Sequence, residues 1–218
     1  MSAIRHAPRL PLLVGIAGGS GSGKTALARA AADALGSARA AILAQDAYYR
    51  DRGDLAPQAR AALDFDAPSA LDRELFLDHL ARLRRGKAVR PPVYCFVTHR
   101  RQGAAPPMRP RPVVIVEGVL LFHDPDVRAS LDLRIFVDAP ERVRLARRLA
   151  RDVAERGRQA DEVLAQCRAT VLPAHTRFVE PTRTRADLVL DNTGALESVV
   201  ERAIGAIDLA LRRRGVES

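Results

Sequence analysis

The sequence predicts an α/β chain in which a parallel sheet is flanked by helices, and three observations predict it. Short apolar runs alternate with longer helix-like runs along nearly all of the 218 residues, the rhythm of strands connected through covering helices. A Gly-rich stretch, Gly18 to Thr25, joins the first apolar run to the first helical one. A Pro-, Arg- and Gly-rich segment between Arg84 and Pro112 breaks the rhythm once, as an insertion does.

In chain order, Leu12 to Ala17 is wholly apolar and reads as a strand covered on both faces. Ala26 to Leu35 is Ala-rich and helical, with Gly36 as its C-terminal cap. Ala41 to Ala44 is the second strand, and Arg50 to Ala62 is polar and irregular. Leu71 to Arg85 reads as a helix, and the insertion, about residues 86–112, folds hairpin-like around an extended core, Val93 to Thr98. Val113 to Val116 and Leu133 to Val137 are core strands. Pro140 to Glu155 is a helix with Pro140 in its first turn, where a missing N–H is harmless. Ala160 to Phe178 is read as a further helix, Leu188 to Leu190 as the last strand and Leu196 to Arg213 as the last helix. The expected organisation is one domain over residues 1–218, with an arginine-rich lid at about 148–160.

Gly18-Gly-Ser-Gly-Ser-Gly-Lys-Thr25 is a complete G-x-x-x-x-G-K-[ST] phosphate loop, which makes the predicted fold that of the P-loop nucleotide-binding proteins. Residues Gly18, Gly19, Ser20, Gly21, Ser22 and Gly23 let the backbone curl round a polyphosphate and turn successive N–H groups inward. Lys24 then reaches the β and γ phosphates, and the Thr25 hydroxyl is placed to ligate Mg²⁺. A Gly-Ser linker would need neither the Lys-Thr ending nor the flanking strand and helix.

Composition excludes several classes. No apolar stretch approaches the ~20 residues of a membrane span. The segment with Arg5, Arg9 and Leu10 to Ala17 has the outline of a signal peptide, but its apolar part runs into the phosphate loop and cleavage would destroy the site, so a cytoplasmic protein is expected. Cys95 and Cys167 are too few for a disulfide framework. The net charge of +9 is nearly all arginine, Lys24 and Lys87 being the only lysines, and aromatic residues are 4%. A nucleic-acid surface, which stacks bases on aromatic side chains, is not expected, whereas a polyanionic small substrate is.

In an open parallel sheet, ligands bind beyond the carboxyl ends of the strands. Asp46 and Glu117 end two of the predicted strands and so face the bound triphosphate. Glu117 is placed to hold Mg²⁺ with Thr25, and Asp46 to orient a nucleophile and take its proton. Arg147, Arg148, Arg151, Arg156 and Arg158 cluster around Gly157, which breaks the helix. Arginines free to swing on such a segment suit a lid that closes on a transferring phosphate.

These motifs together resemble the uridine (uridine-cytidine) kinase family over nearly the whole chain. Gly15 to Thr25 resembles the family's opening, Gln45-Asp-Ala-Tyr-Tyr49 its Gln-Asp-Ser-Phe-Tyr, and Asp64-Phe-Asp-Ala-Pro68 its Asn-Phe-Asp-His-Pro. Tyr94-Cys-Phe-Val-Thr-His99 resembles Tyr-Asp-Phe-x-x-His and Val116-Glu-Gly-Val-Leu120 resembles Glu-Gly-Ile-Leu, with Phe136-Val-Asp138, Arg147 to Arg158, Gln166 and Glu180-Pro-Thr182 following in order. The resemblance implies ATP-dependent phosphorylation of a pyrimidine ribonucleoside, uridine or cytidine, at its 5′ hydroxyl to give UMP or CMP, a reaction of pyrimidine salvage. It implies Asp46 as base, Asp66 and Arg148 on the ribose hydroxyls, and Phe65, Tyr94, Phe96, His99 and Gln166 around the base. Arg151, Arg156 and Arg158 would reach phosphates, with ATP and Mg²⁺ as cofactors and a homotetramer as the assembly. Cys95, Asp64 and Ala67 depart from the family's Asp, Asn and His. Two other readings stay open: a phosphoribulokinase- or pantothenate kinase-like enzyme, and a nucleotide-binding protein without kinase activity.

Overall fold

All six residues of β1 (Leu12–Ala17) are buried in the computed structural model, which describes residues 10–61 and 63–215. Side chains alternate across a strand. Leu12, Val14 and Ile16 therefore enter the core shared with α1 (Lys24–Leu35) and the C-terminal helix, while Leu13 and Ala17 enter the core on the other face. The basic segment carrying Arg5 and Arg9, and Ala62 at the end of the polar stretch, lie outside the described residues.

After α1 come β2 (Ala40–Ala44), a single 3₁₀ turn (Gln45–Tyr48), the short α2 (Pro57–Ala61) and α3 (Arg73–Arg84). The hairpin strands β3 (Pro92–Cys95) and β4 (Arg100–Ala104) precede β5 (Val113–Gly118), α4 (Pro125–Ala129) and β6 (Leu133–Asp138). The chain ends with α5 (Glu141–Arg156), α6 (Ala160–Gln166), α7 (Leu172–Ala174), β7 (Leu188–Asp191) and α8 (Leu196–Arg213). The main sheet is five-stranded in the order β2-β5-β1-β6-β7, with every pair parallel. The chain passes from β1 to β2 on one side of the sheet and later from β5 across β1 to β6 on the other, and the carboxyl ends of β1, β2 and β5 open on one crevice.

The elements differ from expectation where local chemistry is stronger than periodicity. Helix α3 starts after Asp72 rather than at Leu71, because the Asp72 carboxylate accepts the Leu75 N–H at 3.2 Å, a cap worth about 1 kcal/mol. Pro140 caps α5 instead of entering its first turn. The extended core expected over Val93 to Thr98 is strand only to Cys95, and the following residues to His99 make the turn. The single helix expected from Ala160 to Phe178 is broken: wide π-type turns at Cys167–Val171 and His175–Val179 flank the three residues of α7, which contain Pro173. Among the described residues, no helix is long and apolar enough to cross a membrane.

Candidate active site

The phosphate loop is held from three sides. Gly21 and Gly23 take φ of +78° and +93°, and a Cβ on either would strike the Arg144 carbonyl or the Asn192 side chain; only glycine meets both demands. Asn192 Nδ2 donates to the Ser22 carbonyl at 2.7 Å, and Arg147 bridges the Ser22 and Asn192 carbonyls at 3.4 and 3.0 Å. Helix α1 begins at Lys24 with no side-chain cap and no acid in its first turn. Its first N–H groups, at the positive end of the helix dipole, are thus left for an anion.

Lys24, 5% exposed, and Glu117, 4% exposed, lie buried beside this loop. The Thr25 hydroxyl donates to Glu117 Oε2 at 3.0 Å. Burial pushes the Glu117 carboxyl above its ordinary value, with Lys24 opposing the rise and Asp46 adding to it. Asp46 stands on the 3₁₀ turn after β2, which is pinned where Gln45 Oε1 accepts the Leu120 N–H at 3.1 Å. Among the described residues no three His, Cys, Asp or Glu side chains cluster as a self-sufficient metal cage. A phosphate-bound Mg²⁺ needs only one or two protein oxygens, the rest coming from phosphate and water, and the Thr25–Glu117 pair fits that role.

Two cavities meet here. One is lined by Lys24, Asp46, Asp66, Arg148 and Gln166 and walled by aromatic rings; the other is an open groove along Gly21, Thr25, Arg29, Arg147 and Glu117. Lys24, Asp46, Tyr94, Phe96, Arg151 and Arg156 border both. A group bound in the pocket and a phosphate chain bound in the groove therefore share one boundary.

The aromatic wall is built by the hairpin. His99, in the β3–β4 turn, adopts φ +52°, a left-handed conformation that costs a residue with a side chain about 1–2 kcal/mol. Its ring stacks on Phe65 with centroids 4.3 Å apart and planes 13° apart. Tyr94 meets Phe96 edge-on at 5.3 Å, and Arg156 lies over the Phe96 ring at 4.5 Å. Burial, then repulsion from Arg158, Arg156 and Arg60, holds the His99 imidazole below its ordinary value. Among the described residues neither Tyr94 Oη nor His99 Nδ1, both buried, has a protein partner; such groups are nearly always satisfied in folded proteins, and here both side chains line the pocket.

The hairpin is locked to the acceptor side by arginine. Arg60 Nε donates to the Thr98 carbonyl at 3.1 Å, and Arg101 donates to the Tyr49 carbonyl at 2.9 Å and to Asp72 at 3.1 Å. At the departures from the family pattern, the residues present supply the bonds. The Thr98 hydroxyl, followed by the Thr98 and Val97 N–H groups, bonds the Cys95 sulfur and holds its thiol below the ordinary value. Asp64 Oδ1 accepts the Asp66 N–H at 2.9 Å, as an Asn oxygen would. Ala67 caps the short 3₁₀ turn that follows. Asp66 accepts from Thr170 Oγ1 at 3.2 Å and lies 4.0 Å from Arg148; burial raises its carboxyl, with Arg148 the main opposing influence.

The arginines are gathered, not free to swing as expected. Along α5, Arg144, Arg148 and Asp152 are buried at a spacing of four, a polar stripe where an amphipathic helix normally presents its apolar face. Arg148, Arg151, Arg156 and Arg158 all converge on Asp152, which is wholly buried. Gly157, in the left-handed conformation, caps the helix as it turns towards Arg158. Gln166 Oε1 accepts from both Arg148 and Arg158, at 3.1 and 2.6 Å. Every anticipated residue thus borders one of the two cavities or belongs to the phosphate loop. Sequence reasoning did not single out Asp152 as a site residue, nor Tyr49, although Tyr49 ends the Gln45–Tyr49 motif and Asp152 follows Arg148 by one helical turn. Asn192 carried no motif signal at all.

Residues 13–197 match the profile of the phosphoribulokinase / uridine kinase family. The chain is 41% identical over 202 residues to the uridine kinase of Chloroflexus aggregans, covering 93% of this chain and 97% of that one. It is 40% identical over 184 residues to the uridine kinase of Brevibacillus brevis, covering 84% and 86%. Among solved structures it is similar to a Silicibacter sp. TM1040 protein assigned as a fructose transport system kinase, at 28% identity and TM-score 0.70 over 85% and 93% of the two chains. The phosphoribulokinase of Rhodobacter spheroides, at 15% identity and TM-score 0.59 over 87% and 74%, shares the fold.

Proposed function

From a chain that belongs to the phosphoribulokinase / uridine kinase family, and is thereby a phosphotransferase with a hydroxyl group as acceptor, we propose an enzyme that transfers the γ phosphate of ATP to the 5′ hydroxyl of uridine or cytidine. One observation carries the reading. A single pocket has an aromatic wall with an imidazole nitrogen and holds a carboxylate–arginine pair and an Asp46 that, like that nitrogen, has no hydrogen-bond partner among the described residues.

In this reading the base lies against Phe65, Tyr94 and Phe96, and the His99 imidazole meets its edge. Uracil and cytosine differ there by a carbonyl acceptor and an amino donor, and a neutral imidazole serves either by its choice of tautomer. Asp66 accepts from the ribose hydroxyls and Arg148 keeps them in register. Asp46 orients the 5′ hydroxyl and takes its proton as the oxygen bonds to phosphorus and the bond to the ADP oxygen breaks. Lys24, Arg151 and Arg156 stabilise the charge that develops on the phosphate oxygens, the main catalytic need of phosphoryl transfer. Thr25 and Glu117 would hold Mg²⁺, which neutralises phosphate charge when bound.

ADP release measured against uridine, cytidine, purine nucleosides, pantothenate and ribulose 5-phosphate tests the assignment. Both pyrimidine nucleosides are expected to be substrates and purines poor ones, because Phe65, Tyr94 and Phe96 are taken in this reading to wall a pocket for a single ring. ATP binding without turnover of either pyrimidine nucleoside would remove it. Light scattering of the purified protein reads the tetramer that the resemblance implies.

The pH dependence has a definite sign. His99 sits below its ordinary 6.5, so the folded protein keeps the ring neutral while an unfolded chain takes up the proton. Stability is therefore lost as pH falls below 6.5 through the lower folded value. Pyrimidine binding follows the same direction, with KM flat above pH ~6.5 and rising only below it. A KM that already climbs between pH 8 and 6.5 would separate His99 from base recognition.

A further inference from the structure

Among the described residues, Asp152 alone makes ion pairs with arginines of both the pocket and the transfer boundary. Its Oδ1 takes Arg151, through Nε at 2.9 Å and NH2 at 2.8 Å, and Arg156 at 3.3 Å. Its Oδ2 faces Arg148 at 3.5 Å and Arg158 at 3.8 Å. Arg151 and Arg156 border both cavities, whereas Arg148 and Arg158 border the pocket alone. The main chain repeats the arrangement: the Gly157 and Arg158 N–H groups both turn back to the Asp152 carbonyl.

This geometry is unlike a structural salt bridge. Four guanidinium groups within one side chain's reach repel one another, and Arg156 shows it, since burial and then Arg151 press it below its ordinary value while Asp152 opposes. A solvent-facing lid would not need a wholly buried counter-ion. Oδ1 accepts a hydrogen bond from Arg151 Nε, whereas Oδ2 and the facing Arg148 Nε are buried without one among the described residues, Arg148 and Arg158 being bonded to Gln166 Oε1. Asp152 is thereby the anchor of the boundary arginines Arg151 and Arg156, while Gln166 also anchors the acceptor-side Arg148 and Arg158.

We propose that Asp152 is a positioning residue for phosphoryl transfer, holding Arg151 and Arg156 at the donor–acceptor boundary before either ligand arrives. It touches no ligand, and its effect passes wholly through the arginines. Preorganised charge at the transferring group is worth more than the same charge brought in during reaction, and a misplacement of about 1 Å can cost about a hundredfold. The inference rests on the proposed kinase reading for its rate measurement, but not for its structural one.

The test compares the wild type with Asp152→Glu, which keeps the charge and displaces the carboxylate by one methylene, and with Asp152→Asn. With ATP and uridine, Asp152→Glu is expected to lower kcat by on the order of a hundredfold while ATP binding, measured by calorimetry, stays within roughly threefold. A merely structural role would change stability without that split. An Asp152→Glu kcat within about twofold of wild type overturns the proposal. Should the wild type turn over no tested acceptor, the substrate assignment fails, and the arginine Nε–H resonances of ¹⁵N-labelled protein decide for Asp152. An exchange-protected Arg151 Nε–H in the wild type that is lost in both variants supports it; no protection in the wild type, or the same protection in folded Asp152→Glu, overturns it.

Discussion

Asp46→Asn lowers kcat by about 10²- to 10⁴-fold, the usual worth of one general acid–base group, while ATP affinity and folding stay close to wild type. Among the described residues no protein donor bonds the Asp46 side chain, and it lies partly exposed where the two cavities meet. Replacing a carboxylate by an amide of the same shape there breaks no internal bond and creates no void. The loss therefore falls on the step that needs a proton acceptor. The acceptor KM should change little, since the base and ribose contacts lie elsewhere in the pocket. A second sign follows from Glu117. Asp46 is one of the charges that raise the Glu117 carboxyl, so Asp46→Asn moves that carboxyl back towards its ordinary value. Single-turnover kinetics with saturating ATP and uridine measure the rate, and a rate within tenfold of wild type would take Asp46 out of the proton transfer.

The parts of this site that the sequence displayed are those whose chemistry is local in the chain. A phosphate loop needs consecutive residues, so Gly18 to Thr25 is visible as a string. Asp46 and Glu117 are visible because strand ends converge in a parallel sheet. The break after Ala160 was missed although Pro173, inside the predicted helix, signals one; the wide turns on either side of it carry no signal of their own in the residue types. Asn192 was hidden for a different reason: its partner, the Ser22 carbonyl, is 170 positions away, and nothing about either residue alone signals the pair. Asp152 was hidden among the charges around it. An aspartate between arginines on a helix usually means a solvated face, and only its complete burial turns it into the centre of the arginine cluster. The resemblance supplied the roles of Phe65, Asp66 and His99, which no spacing rule assigns; what the fold adds is that the Phe65 and His99 rings stack and that Asp66 faces Arg148.

Lys24→Ala is expected to reduce kcat by on the order of 10²- to 10³-fold and, unlike Asp46→Asn, to weaken ATP binding as well. Lys24 is the buried cation of the phosphate loop, and its ammonium faces charge present in the bound triphosphate as well as charge that develops during transfer. Interactions made in both states appear in affinity, and the surplus in the transition state appears in kcat. The variant also carries a stability signature that needs no substrate. Burial raises Glu117 above its ordinary 4.5, and Lys24 is the strongest influence holding it down. Between 4.5 and the raised value the folded protein keeps a proton that the unfolded chain has lost, so stability falls as pH rises through that window. Removing Lys24 extends the window upwards. Melting temperatures of the two proteins should therefore lie closest at about pH 4.5 and separate as pH rises towards about 7, with Lys24→Ala the less stable. A gap that stays constant across that range would mean that Lys24 does not compensate Glu117. In that case the loss of turnover would have to be ascribed to the phosphates alone.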